Sequence, residues 1–524
     1  MKRRDFCKGL AVTFAAGTLA PAAALPQAGA ATALVGRAVP DDYYTLWYRS
    51  DRCGADLRHD YYYSDSLFDH PATEYDNQLA LATLGMAAAA DCTWESDQRY
   101  WMEGEVGRAD HIRDAFAKLG FTEVQLFNYT HSLNDTPDTV GCAIARKTLV
   151  RGGRQVTIIG AFLRGSGYGA EWSGNLHAGP GSAHVGFVTA ARQLVEKIRA
   201  YVQTSAKRQP LGTLKLWMGG YSRGGVVANL VAARMPAVLP QLEKKNTFVY
   251  TFAAPASLTA ADCPDLQQDY DNNHAADGSL KKNWGTSNIF NIVSSGDVIP
   301  RILPAEWGFY RNGNDRFLPS TVIPEELQAL NDRSAGMEGT PMDFGRLAVS
   351  EETDAVLRSM LDLFCDRQTY YKGYEDAMRC MLQCATTRTE EEVTRGIVRD
   401  DAAVVAQLRS MELMQRFPQE KVERCVQAAS ALSRPVLEKL GSAVPLQAQQ
   451  IVIPMLAVGL CFELQPETVQ LVADFVLSTI TVKGQLSGIL KTVLCHFQEN
   501  YITVLEAYDP ADHGMTPYTR REEL

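Results

Sequence analysis

The sequence predicts an α/β fold, a mostly parallel sheet flanked by helices, carrying a large helical insertion. Three observations support this. Between residues 43 and 318, short apolar runs rich in β-branched and aromatic residues alternate with stretches of helical period. From 319 to 490 the strand-like runs stop and helical spacing takes over. With 524 residues, 46% of them hydrophobic, the chain can bury a large core and build two or three structural units.

In chain order, Gln78–Ala89 and His111–Leu119 read as helices, and Gly120-Phe121 leads into a short strand, Glu123–Asn128. Thr139–Arg146 and Val156–Leu163 form a hairpin around Arg151-Gly-Gly-Arg154. Leu214–Met218 is a buried strand, and Gly225–Met235 is a helix closed by Pro236. Thr247–Phe252 and Asn288–Val293 are two further strands. In the helical region, Ser350 with Glu351 and Glu352 starts one helix, and Thr389 with Glu392 forms a capping box for another. Pro418, Pro435, Pro445, Pro454 and Pro466 punctuate the rest. The most apolar run there, Ile451–Phe462, is far short of the roughly 20 residues needed to span a bilayer. It reads as a buried helix or as a lipid-facing lid surface.

The chemistry starts at Gly220-Tyr221-Ser222-Arg223-Gly224. A serine between two glycines, on a sharp turn from strand to helix, is how an α/β-hydrolase presents its nucleophile; a Cβ at either flank would meet the backbone. The alternative is a glycine-rich turn whose serine caps the following helix. Nucleophilic catalysis also needs a base, an acid to orient it and donors for the oxyanion, and in this fold the order is Ser, Asp or Glu, His. Asp297 follows the strand Asn288–Val293, at the carboxyl edge where ligand sites of open α/β sheets lie. It could equally cap the turn Ser295-Gly296-Asp297.

Asp297-Val-Ile-Pro-Arg-Ile-Leu-Pro-Ala-Glu-Trp-Gly-Phe309 resembles the acid loop of the class 3 (fungal-type) lipases. Ala161–Ser166, Glu171-Trp172, Asn175-Leu176 and His184-Val-Gly-Phe187 are similar to that family's oxyanion strand and next helix start, and Gly-Tyr-Ser-Arg-Gly-Gly with Ala228-Asn229 is similar to its elbow. The motifs fall in the family's order across residues 155 to 310. The resemblance implies a carboxylic-ester hydrolase acting on lipid esters, without cofactor or metal. It also implies an oxyanion hole from the Arg223 backbone N–H and Ser166. For His184 the sequence suggests only a helix start or a packing role.

The general base has to be a histidine after Asp297, which leaves His496 and His513. His496, in Cys495-His-Phe-Gln-Glu-Asn-Tyr501, looks like the family's terminal histidine and is the expected base; His513 sits in the polar stretch Ala511–Met515. The expected triad is Ser222, Asp297 and His496.

The first 30 residues have a basic start, Lys2-Arg3-Arg4, a short apolar core and small residues up to Ala30. That is a signal-peptide pattern, and the paired arginines before Phe6 resemble a twin-arginine signal, so the expected partners include that export machinery and the expected location is periplasmic or extracellular. Without this +3 segment the net charge goes from −10 to −13, which argues against nucleic acid or an anionic membrane as an electrostatic partner. A transient lipid-interface contact stays open. Ten cysteines lie beyond residue 30 with no framework pattern, and Cys380 and Cys384 read as core residues.

The expected organisation is a signal peptide at 1–30, an α/β-hydrolase core at 43–318, a helical cap or side domain at 319–490, and a segment at 491–524 that carries the base and completes the core. The expected function is an exported serine lipase or carboxylesterase working through an acyl-enzyme on Ser222. Rivals are an amidase or peptidase on the same triad, or a binding protein that keeps the fold.

Overall fold

The computed structural model describes residues 37–50, 55–91, 104–105, 109–131, 137–166, 169–181, 183–259, 286–294, 297, 299–301, 303, 307, 309–318, 367–386, 397–440, 446–469 and 495–507. The signal-peptide segment, the helix starts at Ser350 and Thr389, Pro445 and His513 lie outside the described residues.

A hairpin of β1 (Asp42–Ser50) and β2 (Ala55–Tyr63) stands apart from the main sheet. The main sheet comprises β3 (Thr122–Phe127), β4 (Cys142–Arg151), β5 (Arg154–Leu163), β6 (Thr213–Tyr221), β7 (Thr247–Phe252), β8 (Ile289–Ser294) and β9 (Asn314–Leu318), and its spatial order is the chain order. From β5 to β9 every pairing is parallel; β3 and β4 are antiparallel. The β4–β5 turn needs positive φ at both central positions, which Gly152 (55°) and Gly153 (74°) supply.

Helices cover both faces. Along β6, Trp217 points to one face and Leu216 and Met218 to the other, following the period of two in a strand. The Trp217 face is covered by α1 (Asn77–Ala90), α2 (Asp110–Lys118) and the β1–β2 hairpin. The Met218 face is covered, after the short α3 (Gly169–Gly174), by α4 (Val185–Arg208) and α5 (Arg223–Val238). From Leu79 to Ala90, α1 is buried on all sides. Its alanines and Gly85, where a Cβ would lie 2.7 Å from the Tyr61 ring, let it sit close under its neighbours.

The helical region supplies α6 (Glu375–Thr386), continuous with a π-helical turn at Tyr370–Tyr374, then α7 (Asp401–Ser410), α8 (Gln419–Leu440) and α9 (Leu446–Cys461). These pack into a third cluster that includes Trp307, Phe309 and Ala178 of the α/β part. Ile451, Ile453, Met455 and Val458 of α9 are buried, so the apolar run is a core helix. Cys380 and Cys384 are buried and free.

Prolines required a correction. Helix α5 continues past Pro236 to Val238, and Pro435 and Pro454 lie inside α8 and α9 rather than ending them. An interior proline loses one backbone hydrogen bond and costs about 3 kcal/mol or more. At Pro454 burial of the neighbouring Ile453 and Met455 offsets this, whereas at Pro435 the nearby Leu432 and Val436 are exposed. Finally α10 (Gln498–Ala507) brings Tyr501, Ile502, Val504 and Leu505 into the same core as α1.

Candidate active site

Ser222 sits between β6 and α5 at φ 53° and ψ −123°, a conformation a non-glycine residue adopts only under constraint. Its N–H donates to Phe252 O at 2.8 Å, tying the turn to β7. A Cβ at Gly220 would lie 2.3 Å from Gly224 O, and one at Gly224 would lie 2.4 Å from the carbonyl oxygens of Leu163 and Arg164. Both glycines are therefore required by close backbone approach. Ser222 occupies the cap position of α5, yet its side chain makes no cap hydrogen bond. The reading of Ser222 as a mere helix cap fails on that point.

The Ser222 hydroxyl instead faces a histidine. His496 Nε2 lies 2.9 Å from Ser222 Oγ, and His496 Nδ1 lies 2.8 and 3.0 Å from the two oxygens of Asp297. A carboxylate only accepts, so Nδ1 carries the hydrogen and the Nε2 lone pair faces the serine hydroxyl. Asp297 is fully buried. Its Oδ1 also accepts from the Ile299 N–H at 2.9 Å and its Oδ2 from the Tyr501 hydroxyl at 2.7 Å. Burial first, and then Asp297, pushes the Tyr501 pKa well above the ordinary tyrosine value, so Tyr501 stays a donor. Tyr221 OH donates to His496 O at 2.5 Å, fixing the backbone that carries the imidazole. Ser222 follows β6 and Asp297 follows β8, with β7 between them, and the imidazole bridges the gap.

Beside the elbow, the end of β5 carries Arg164, Gly165 and Ser166. Arg164 forms a fully buried bidentate pair with Glu171, at 2.5 and 3.0 Å. The Gly165 N–H donates to Asp91 Oδ1 at 2.7 Å, and Asp91 Oδ2 accepts from the Gln498 amide, so one carboxylate links this loop to the segment after His496. Ser166 Oγ accepts from Asn175 Nδ2 at 2.9 Å, and the Arg223 guanidinium donates to Asn175 Oδ1 at 2.8 Å. Arg223 opens α5, where the first backbone N–H groups have no intrahelical acceptor.

His184 caps α4: its Nδ1 accepts from the Phe187 N–H at 3.4 Å and its Nε2 donates to Asn175 O at 3.0 Å. Burial, reinforced by the nearby Arg223 charge, holds its pKa well below the usual histidine value. The helical region meets the α/β part at the next residues. Glu375 Oε2 accepts from the Gly179 N–H at 2.8 Å, Tyr370 OH donates to Leu176 O at 2.9 Å, and Arg367 donates to Gly181 O. His177 pairs with Asp138 at 2.8 Å and lies 3.9 Å from Glu375. Among the described residues no group of three or more His, Cys, Asp or Glu is placed to hold a metal ion, and no helix is long and apolar enough to cross a membrane.

All five expected site residues that are described, Ser166, Ser222, Arg223, Asp297 and His496, lie around this one edge of the sheet. Sequence reasoning gave no role to Asp91, to Tyr501 or to the Arg223 guanidinium. For the last of these, the signal the sequence offers is an arginine immediately after the elbow serine.

Residues 165–307 match the family model of the class 3 lipases. The matched segment runs from Gly165 to Trp307, so it takes in Ser166, Ser222 and Asp297 and stops well before His496. No curated protein matches the chain. Among solved structures, the chain is similar to a triacylglycerol lipase described as having a serine-protease triad as its catalytic centre (19% identity, 46% of this chain, 79% of that one, TM-score 0.31). It is also similar to Rhizomucor miehei lipase in its propeptide complex (20% identity, 46% and 68%, TM-score 0.31) and to a lipase of Rhizopus microsporus var. chinensis (16% identity, 49% and 75%, TM-score 0.30).

Proposed function

We propose that the protein is a serine hydrolase that cleaves carboxylic esters, with lipid acyl esters as its substrate class. The observation that carries this is the chain from Ser222 Oγ to His496 Nε2 at 2.9 Å and from His496 Nδ1 to Asp297 at 2.8 Å. The lipase match over residues 165–307 supports the ester and lipid part of the reading.

In this mechanism His496 Nε2 takes the Ser222 proton as Oγ attacks the ester carbonyl, and returns it to the leaving alcohol. Asp297 holds the Nδ1–H tautomer and stabilises the imidazolium that forms. The Arg223 N–H and the Ser166 hydroxyl donate to the tetrahedral oxyanion; such a donor is worth roughly 10²–10³ in rate. Water then hydrolyses the acyl-enzyme by the same proton route. Residues 43–318 and 491–524 form the catalytic unit in this reading, with 319–490 inserted between acid and base. Residues 1–30 act as a twin-arginine export signal, tested by the mass of the protein recovered outside the cytoplasm.

The activity test is hydrolysis of a p-nitrophenyl ester series beside the matching anilides, with fluorophosphonate labelling of the folded protein. Ester turnover and labelling at Ser222 are the expected results. Anilide-only turnover would make it an amidase, and a folded protein that stays unlabelled and inert would make it a binding protein.

A further inference from the structure

We propose that the Arg223 guanidinium is a positioning residue for the oxyanion: by holding Asn175 Oδ1 it turns Asn175 Nδ2 onto Ser166 Oγ, so the Ser166 hydroxyl keeps its own hydrogen for the substrate. The inference rests on the ester-hydrolase reading above, and it deepens one part of that site.

The argument begins with donors and acceptors. A primary amide has an oxygen that only accepts and a nitrogen that only donates, and the two ends are nearly the same shape. Nothing in the bare contact between Asn175 and Ser166 decides which end faces the hydroxyl. Arg223 decides it, because a guanidinium has donors and no acceptor. Its 2.8 Å bond therefore fixes Oδ1 at its side, leaving Nδ2 to face Ser166 Oγ at 2.9 Å. A serine hydroxyl that accepts from an amide still has one hydrogen to give. Had the amide been turned round, the hydroxyl would donate to Oδ1 and would be lost to an oxyanion.

The arrangement is held rigid. Arg223 is 1% exposed, donates from Nε to Thr139 O at 2.8 Å and from NH2 to Pro137 O at 2.9 Å, and lies over the Phe187 ring at 5.4 Å. The Asn175 backbone is held independently, because the His184 Nδ1 accepts from Phe187 N–H and so its Nε2–H is directed at Asn175 O. Any residue at position 223 would offer a backbone N–H to the oxyanion. Only the side chain explains a buried cation here, and arginine rather than lysine supplies the fork that reaches three acceptors at once.

The rival account is that Arg223 merely ties Pro137 and Thr139 to the elbow. A double-mutant cycle in the full-length protein separates the two, with kcat and KM read on p-nitrophenyl butyrate. Asn175→Asp keeps the partner of Arg223 but offers Ser166 an acceptor, which draws its hydrogen away from substrate. We expect Asn175→Asp and Arg223→Met each to lower kcat by roughly 10- to 100-fold with KM changed by less than about 3-fold. In a Ser166→Ala background the same changes should cost less than about 3-fold, because there is no hydroxyl left to orient. Equal losses in both backgrounds, or a Ser166→Ala variant with unchanged kcat, overturn the assignment and leave the hydrolase reading intact. An inactive wild type, or a fully active Ser222→Ala, overturns both. If Arg223→Met does not fold, the near-isosteric Asn175→Asp arm decides alone.

Discussion

The Tyr501 hydroxyl donates to Asp297 Oδ2 at 2.7 Å while accepting the Ser294 N–H at 3.0 Å, so one phenol ties the acid to the end of its own strand. Replacing it with phenylalanine removes a bond to a charged group and leaves a buried N–H unpaired. Each loss is worth roughly 1–3 kcal/mol. Tyr501→Phe should therefore lower unfolding stability by about 2–4 kcal/mol in urea titrations. It should also lower kcat about 10-fold, because Asp297 loses one of the groups that fix it against His496. An unchanged kcat would mean that the Ile299 N–H and His496 alone hold the acid.

Asp297→Asn keeps the shape of the acid but allows the imidazole the wrong tautomer, with its hydrogen on Nε2. A loss of roughly 10⁴ in kcat is expected, with the circular dichroism spectrum and melting temperature close to those of the parent. Ser222→Ala should abolish fluorophosphonate labelling altogether.

Gly224→Ala tests the elbow as a mechanical part. The new methyl would meet two carbonyl oxygens of β5 and its end at 2.4 Å, and backbone cannot swing aside as a side chain can. Destabilisation of about 3 kcal/mol or more is expected, seen as loss of soluble protein or a large fall in melting temperature.

Two buried groups should give the stability opposite dependences on pH. Burial raises the Glu375 pKa above its ordinary 4.5, so its contribution is full below pH 4.5 and is lost as the pH rises through the higher folded value. Gly179, His177, Arg379 and Asp376 face it, and the neutral amide of Glu375→Gln still accepts from Gly179. That variant should be more stable than the parent at pH 7.5 and no more stable at pH 4, as read from urea midpoints at the two pH values. His184 behaves the other way. Its pKa is depressed by burial and Arg223, so its contribution is present above 6.5 and falls as the pH drops below that value, by about 1.4 kcal/mol per pH unit for one proton. His184→Asn keeps a capping side chain and removes the titration, so its urea midpoint should change less between pH 7 and pH 5 than that of the parent.

The strands that build the site were legible because β6, β7 and β8 are covered on both faces and read as continuous apolar runs. The β1–β2 hairpin was not. Its aromatics fall on both parities, with Tyr43 and Tyr44 adjacent and Tyr61, Tyr62 and Tyr63 in a row, so no alternation marks an inner face. The helix carrying Pro454 was obscured by a local rule that burial of Ile453 and Met455 overrides. Among site residues, Ser222 announces itself through its glycines, and Asp297 and His496 through their order after it. Asp91 and Glu375 leave no such trace. Each is a single carboxylate whose partner, Gln498 or Gly179, is 407 or 196 residues away, and no periodicity encodes a contact of that kind.

His496 meets Asp297 across 199 residues of chain and Ser222 across 274. During synthesis, a nascent polypeptide can therefore lay down the whole β3–β9 sheet, with the serine already at its strained turn, and still lack a group to deprotonate it. On the proposed reading, the site is complete only once residue 496 has been synthesised.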